Sequence, residues 1–335
     1  MATLRQCVVF TAPRQVEVIE ETLPPPGPGQ VRVESIVAAI SPGTEMLFYR
    51  GDFPTETADD SAVDATLAAA GGATLRYPLR YGYANVGRVV ELGDGVERSW
   101  LDRLVFAFVP HASAFVAAPS ELLLVPEDIT PEQAALLPNM ETAVNFVMDG
   151  QPLIGEHVAV VGLGIVGLLT TALLSRFPLA ALTAIEPLPL RRSLARAWGA
   201  TALCAPDDLA AVAPADLVYE LSGSPAALDT AIAVTGFSGR IVVGSWYGAK
   251  RAPIDLGGRF HRSRLHLVSS QVSTIDPALS GRWDKARRFA VVWEMLRTLD
   301  TSPLITHRFR LADAAAAYRQ IDRDPAATLQ VFLES

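Results

Sequence analysis

Cysteine is close to absent from this chain of 335 residues, which carries only Cys7 and Cys204, far apart and each inside an apolar, strand-like stretch. Two thiols so placed cannot build a cysteine metal cage, and the role left to them is that of small buried hydrophobes. An excess of positive charge is lacking too. The 28 Lys and Arg against 36 Asp and Glu leave a net charge of -8, with no basic footprint for nucleic acid or for an anionic membrane surface. There is no fixed-period repeat and no low-complexity linker. Residues Met1 to Gln6 run directly into a strand pattern without the apolar region of a signal peptide, so a cytoplasmic protein is expected. What is present is ordinary for a soluble globular enzyme, half apolar and 19% charged, and the length predicts two domains.

Charge is also missing from Val158 to Ser175, a run about long enough to cross a bilayer. Its three closely spaced glycines argue against a membrane span, as do the flanking strand and helix patterns, which stand where basic loops would be needed. The glycines form G-x-G-x-x-G between an apolar run and a helical apolar pattern. Gly162 allows a tight turn, Gly164 lets backbone approach a pyrophosphate, and Gly167 lets the helix pack closely on a sheet. The helix opening at Ile165 and Val166 then faces the anion with its free N–H groups. Ala181 to Glu186 reads as the next strand and ends in a carboxylate about twenty residues past the glycines, where an acid takes ribose hydroxyls. Together these features predict a dinucleotide site. Arg191 and Arg192 follow, either stacking on adenine and reaching phosphate or coating a helix start.

From Leu4 to about Pro126, short strand patterns at 6–10, 16–20, 31–40, 85–92, 103–109 and 114–125 are separated by Pro and Gly, which predicts a β-rich, partly closed domain. Thr130, Pro131 and Gln133 supply a capping residue, an N1 proline and a box partner for a helix that Pro138 kinks or interrupts. Beyond Gly150, strands at 158–161, 182–186, 216–221, 240–245 and 265–270 alternate with helices from 164, at 190–198 and at 225–234. Such alternation specifies a parallel doubly wound sheet. Helices over 286–299 and 312–321 and a strand at 329–333 complete the chain. Asp52 to Arg76, acidic and then Ala/Gly-rich, reads as a surface insertion.

Besides the glycine turn, Val37-Ala38-Ala39-Ile40-Ser41-Pro42-Gly43-Thr44-Glu45, Tyr81-Gly82-Tyr83-Ala84-Asn85-Val86-Gly87-Arg88-Val89-Val90 and Pro303-Leu304-Ile305-Thr306-His307-Arg308-Phe309 stand in a familiar order. Over nearly its whole length the chain resembles the medium-chain dehydrogenase/reductase superfamily, with the zinc-type alcohol dehydrogenase architecture. Ser41 to Glu45 is similar to the group of 2-desacetyl-2-hydroxyethyl bacteriochlorophyllide a dehydrogenase, a likeness that does not carry over the chlorophyll substrate. The resemblance implies an α/β chain: a Rossmann doubly wound parallel sheet over 144–274 and a β-rich GroES-like catalytic domain over 1–143, completed by 275–335. The departures are informative. Where zinc members place a cysteine, a His-Glu pair and a third ligand, this chain has Pro42, then Tyr83 and Ala84, then about Pro138, none of them a zinc ligand. The four-cysteine structural lobe is missing as well. Glu45, His111 and Glu141 are a conceivable but different metal set; surface or hydrogen-bonded groups are the commoner role of such residues, and no metal site is expected.

The resemblance places Thr44 at the proton relay of the family, although threonine there can equally cap the turn through Phe48. Tyr83 stands at a ligand position and carries a phenolic donor, or serves as an aromatic wall. Thr142 is similar to the family threonine beside the nicotinamide, and Glu141 is either an acid behind it or a solvated helix residue. Ser222 and Gly223 follow one strand end, Ser270 and Gln271 another, where cofactors are edged in open α/β sheets. His261, His266 and His307 receive no role. The expectation is an NAD(H)-dependent, zinc-independent oxidoreductase that moves a hydride between nicotinamide and an alcohol or ketone. Thr44 and Tyr83 are expected to face the nicotinamide across an interdomain cleft and to handle the proton and the developing oxyanion. Its partners are a small-molecule substrate and a second copy of itself, with neither nucleic acid nor membrane. The alternatives are a quinone reductase-like enzyme acting on activated double bonds and a non-catalytic NAD(H)-binding protein.

Overall fold

A computed structural model describes residues 3–53 and 76–335, so nearly all of the insertion read at Asp52 to Arg76 lies outside the described residues. The chain divides into two units, Met1–Pro138 with Leu296–Ser335, and Asn139–Met295.

In the first unit β1 (Thr3–Ala12) and β2 (Gln15–Leu23) form an antiparallel hairpin whose turn holds Arg14 at φ 61°. A seven-stranded sheet is centred on β3 (Val31–Ile40), which pairs antiparallel with β4 (Asn85–Leu92), β6 (Ala114–Ala117) and β15 (Gln330–Glu334). On one side β5 (Leu104–Ala107) and β7 (Leu122–Leu124) extend it, and on the other β14 (Ile305–Arg310). The strand expected over 114–125 is two strands. Pro119 has no N–H for a ladder and opens a single 3-10 turn over Pro119–Glu121 between them. Strand β3 serves two cores. Val31 and Val33 pack with Val89, Val105 and Phe115, while Ala38 and Ile40 pack with Phe10, Phe48, Val331 and Leu333. A helix over Ala314–Arg323 adds Ala314, Ala317, Tyr318 and Ile321 to the second core, at the i, i+3, i+4, i+7 spacing of one helical face.

The second unit is a parallel sheet in the order β10-β9-β8-β11-β12-β13, formed by β8 (His157–Val161), β9 (Ala181–Ile185), β10 (Ala202–Cys204), β11 (Ala215–Glu220), β12 (Thr235–Val243) and β13 (His266–Ser269). The order reverses between β8 and β11, which places the ligand crevice of an open sheet at their carboxyl ends. The uncharged run is β8, the glycine turn and a helix over Ile165–Leu174 in which every side chain but that of Val166 is buried. Apolar surface all round that helix is therefore covered by protein. No helix of the described residues is long and apolar enough to cross a membrane.

The expected capping box is formed: the Thr130 hydroxyl accepts the Gln133 N–H at 3.2 Å and the Gln133 carbonyl accepts the Thr130 N–H at 3.0 Å. Helix Pro131–Ala135 breaks at Leu136 before Leu137–Gly150 begins, because the ring of Pro138 crowds the carbonyl four residues back and donates nothing to it. The helix over Lys285–Thr298 belongs mainly to the second unit, so the chain re-enters the first at Leu296, later than position 275. Its anchor is Arg288, fully buried against Glu141.

Candidate functional site

The second unit supplies a dinucleotide cradle. Gly162 leaves β8 at φ 91°, and a Cβ there would lie 2.4 Å from Ser222 Cα. A Cβ on Gly167 would lie 2.0 Å from the Gly162 carbonyl oxygen, so only glycine lets helix Ile165–Leu174 start this close to the strand. Gly164 caps that helix without a side chain and faces open space, leaving the N–H groups of Ile165, Val166 and Gly167 available to an anion. The donor geometry fits a pyrophosphate.

Glu186 follows β9 and is buried. One carboxylate oxygen accepts the Leu163 N–H at 2.7 Å and the other the Leu188 N–H at 3.2 Å, so the acid braces the glycine turn. A carboxylate offers about four acceptor positions, and these two bonds leave room for ribose hydroxyls. Arg191 is half-buried, and burial lowers its guanidinium pKa against the charge of Glu186. Arg192 grips the Glu186 and Pro187 carbonyls.

A second buried acid was not legible as a site residue. Glu220, the last residue of β11, accepts the Ser222 N–H at 2.9 Å and the Tyr247 hydroxyl, and the neighbouring Gly223 N–H goes to the Ser245 hydroxyl at 2.9 Å. Burial pushes the Tyr247 phenol pKa up, and the hydrogen bond to Glu220 acts in the same direction. Ser222 and Gly223 are thereby held at the strand end. Lys250 closes the loop by donating to the Gly223 carbonyl at 2.9 Å.

Thr142 is half-buried on the helix over Leu137–Gly150. Its neighbour Glu141 is neither solvated nor free: the Arg288 guanidinium donates to it at 2.5 and 3.1 Å. Arg288 also donates to the Asn145 side chain and to the Val272 and Thr274 carbonyls. Burial pushes the Glu141 carboxyl up while Arg288 opposes it. The Ser270 hydroxyl is engaged by Asp149 and Asn145, and the Gln271 side-chain carbonyl accepts the Ser273 N–H, so these residues shape the loop after β13.

The first unit gathers hydroxyl groups. Thr44 precedes a short helix, Glu45–Arg50, and its side chain makes no capping bond, so the capping role is unused. The Ser41 and Thr44 side chains lie close enough to the Tyr83 phenol to favour its ionised form. Burial and then the charge of Glu45 push that phenol up to about 12, against the effect of the two hydroxyls. Tyr83 also packs edge-on to Tyr81 with ring centroids 6.1 Å apart. Thr44 and Tyr83, 39 residues apart in the chain, thus meet.

Zinc does not fit the family ligand positions. Pro42 and Pro138 offer no side-chain donor, Ala84 none either, and the Tyr83 phenol, which burial raises above its ordinary value, is no thiolate, imidazole or carboxylate. Glu45 and His111 are hydrogen-bonded to one another, and Glu141 is taken by Arg288. Among the described residues no three His, Cys, Asp or Glu side chains are grouped so as to hold a metal ion.

A parallel sheet whose order reverses beside a glycine turn, with an acid after the next strand, is the arrangement of a dinucleotide-binding unit. No protein-family model matches the chain. L-threonine 3-dehydrogenase of Thermococcus kodakarensis is 23% identical, covering 91% of this chain and 98% of its own. 2-Desacetyl-2-hydroxyethyl bacteriochlorophyllide A dehydrogenase of Rhodobacter capsulatus is 26% identical over 96% and 95%. Among solved structures, the alcohol dehydrogenase rspB of Escherichia coli CFT073, complexed with NADH, superposes with a TM-score of 0.76 at 19% identity, covering 99% of this chain and all of that one. Over nearly its whole length the chain is similar to dehydrogenases of the medium-chain dehydrogenase/reductase type, and it reads as an oxidoreductase.

Proposed function

We propose that the protein is a zinc-independent, NAD(H)-dependent oxidoreductase acting on an alcohol or ketone. The observation that carries this reading is the proximity of Thr44, at the relay position, to Tyr83, which stands where zinc relatives place a metal ligand, with Ser41 beside them. A bound nicotinamide supplies or accepts the hydride at its C4 atom. Tyr83 and Thr44 donate hydrogen bonds to the substrate oxygen as charge develops there, and Thr44 relays the proton between that oxygen and solvent water, which supplies it in reduction and takes it up in oxidation. A phenol that keeps its proton to about 12 is a donor throughout the working range. Glu186 favours NAD(H), since it accepts from both ribose hydroxyls and repels a 2'-phosphate. We further propose a cytoplasmic homodimer formed along β13, an edge strand whose Leu267 side chain is 39% exposed.

Thr44→Val and Tyr83→Phe preserve shape and remove only the hydroxyls. Losing one oxyanion donor costs about a hundredfold or more in rate. Each variant is expected to lose turnover on that scale while NADH affinity, read by calorimetry, stays near the parent value. Wild-type turnover in both variants sinks the reading.

A further inference from the structure

Glu45 is a fully buried carboxylate that the proposed chemistry leaves without a task. Its Oε1 accepts the Ser41 N–H at 2.8 Å; its Oε2 accepts the Tyr318 hydroxyl at 2.5 Å and lies 2.9 Å from His111 Nε2. Among the described residues no lysine or arginine pairs with it. His111 is equally buried, and its Nδ1 has no protein partner, so the ring N–H placed to donate to Glu45 is the one on Nε2. Three donors therefore converge on this acid.

These bonds reach both sides of the hydroxyl cluster. On one side Glu45 holds the backbone of Ser41 and directly follows Thr44. On the other, the His111 ring lies under the backbone before Tyr83: Gly82 has φ 119°, and a Cβ there would lie 2.6 Å from His111 Cδ2. The ring thus sets where residues 81–83 run. The titratable groups facing Glu45 are His111, Tyr318, Tyr81 and Tyr83, from three separate segments.

We propose that Glu45 is the positioning residue of the Ser41, Thr44 and Tyr83 hydroxyls, holding the Ser41–Thr44 turn through the Ser41 backbone N–H and the segment of Tyr83 through His111. Tyr318 anchors the carboxylate from the helix over Ala314–Arg323. The negative charge of Glu45 also works against ionisation of Tyr83, so the substrate oxygen meets a neutral donor. This inference rests on reading the hydroxyl cluster as the oxyanion donors.

The test places 3-fluorotyrosine at position 83, where the fluorine NMR signal reports ring environment and ionisation without any turnover. Glu45→Gln keeps the size of the side chain and removes its charge. The titration midpoint at position 83 is expected to fall by about one unit, a tenfold change in ionisation constant. In the unlabelled enzyme the same substitution lowers kcat at least tenfold, as an order-of-magnitude expectation, and leaves the NADH KM unchanged. Tyr318→Phe removes one donor without changing charge and shifts the fluorine signal by displacing the acid. An unmoved midpoint and signal in folded Glu45→Gln overturns the proposal; should Glu45→Gln fail to fold, an unmoved signal in Tyr318→Phe does so. A moved signal with intact turnover upholds the positioning and removes the catalytic reading of the hydroxyls.

Discussion

Replacing Arg288 with methionine removes the charge that fastens the helix over Lys285–Thr298 to the helix over Leu137–Gly150 and to the loop after β13. The guanidinium is fully buried and donates to Glu141 Oε1 at 2.5 and 3.1 Å, to Asn145 Oδ1 at 2.6 Å, and to the Val272 and Thr274 carbonyls at 2.5 and 3.1 Å. Methionine fills much of the volume and satisfies none of these acceptors. Leaving one partner of a buried ion pair costs about 3–5 kcal/mol. At about 2–4 °C per kcal/mol for a unit of this size, the melting temperature falls by roughly 6–20 °C. The loss depends on pH in a definite direction. Burial already raises the Glu141 pKa in the fold, so its stabilising contribution is complete below the unfolded carboxyl value and is lost as pH rises through the folded one. Without Arg288 the folded value rises further, and the deficit of the variant is smallest in mild acid and grows toward neutral pH. Glu141→Gln in the same chain removes the stranded charge and recovers part of the loss, which a double-mutant cycle on thermal melts reads as coupling. A methionine variant melting within about 2 °C of the parent at neutral pH, or a double variant no more stable than the single one, refutes this reasoning.

Glu186→Ala removes the acceptor of two backbone N–H groups as well as the ribose partner. Hydrogen bonds to a charged group are worth about 1.5–3 kcal/mol, so NADH affinity should fall at least tenfold and the preference over NADPH should narrow; calorimetry showing that the parent protein prefers NADPH contradicts the assignment. Light scattering is expected to return a dimer for the parent chain and a monomer for Leu267→Glu, which puts a charge on the edge strand; a monomeric parent rules out the β13 interface.

Much of the fold was written in local patterns. The bounds of β3 and β4 follow from alternating apolar residues between Pro and Gly, and the capping box at Thr130 announces its helix because the partners are three residues apart. The cradle was legible for the same reason: Gly162, Gly164 and Gly167 are each required by a close approach within a few residues, and Glu186 comes at a fixed remove. What escaped depends on long-range packing. The three-residue β10 has too few side chains for a periodicity, though it edges the sheet beside β9. Glu220 looks like one more polar residue at a strand end until Tyr247 and Ser222 close on it. Glu141 read as a helix acid because its partner Arg288 is 147 residues away in the chain. His111 and Glu45 were paired in the sequence only as conceivable metal ligands; their direct hydrogen bond, across 66 residues, and the place Gly82 leaves for the ring exist only in the folded chain.

The central claim is hydride transfer assisted by side-chain hydroxyls instead of a metal ion, and turnover of metal-stripped protein tests it most directly. Protein treated with chelator, shown by elemental analysis to hold well under one zinc per chain, is assayed at the NADH absorbance band against a panel of alcohols and ketones. The account predicts the same turnover as untreated protein, with no gain when zinc is restored, because none of Pro42, Tyr83, Ala84 and Pro138 is a zinc ligand. Turnover that disappears with the chelator and returns in proportion to bound zinc contradicts it.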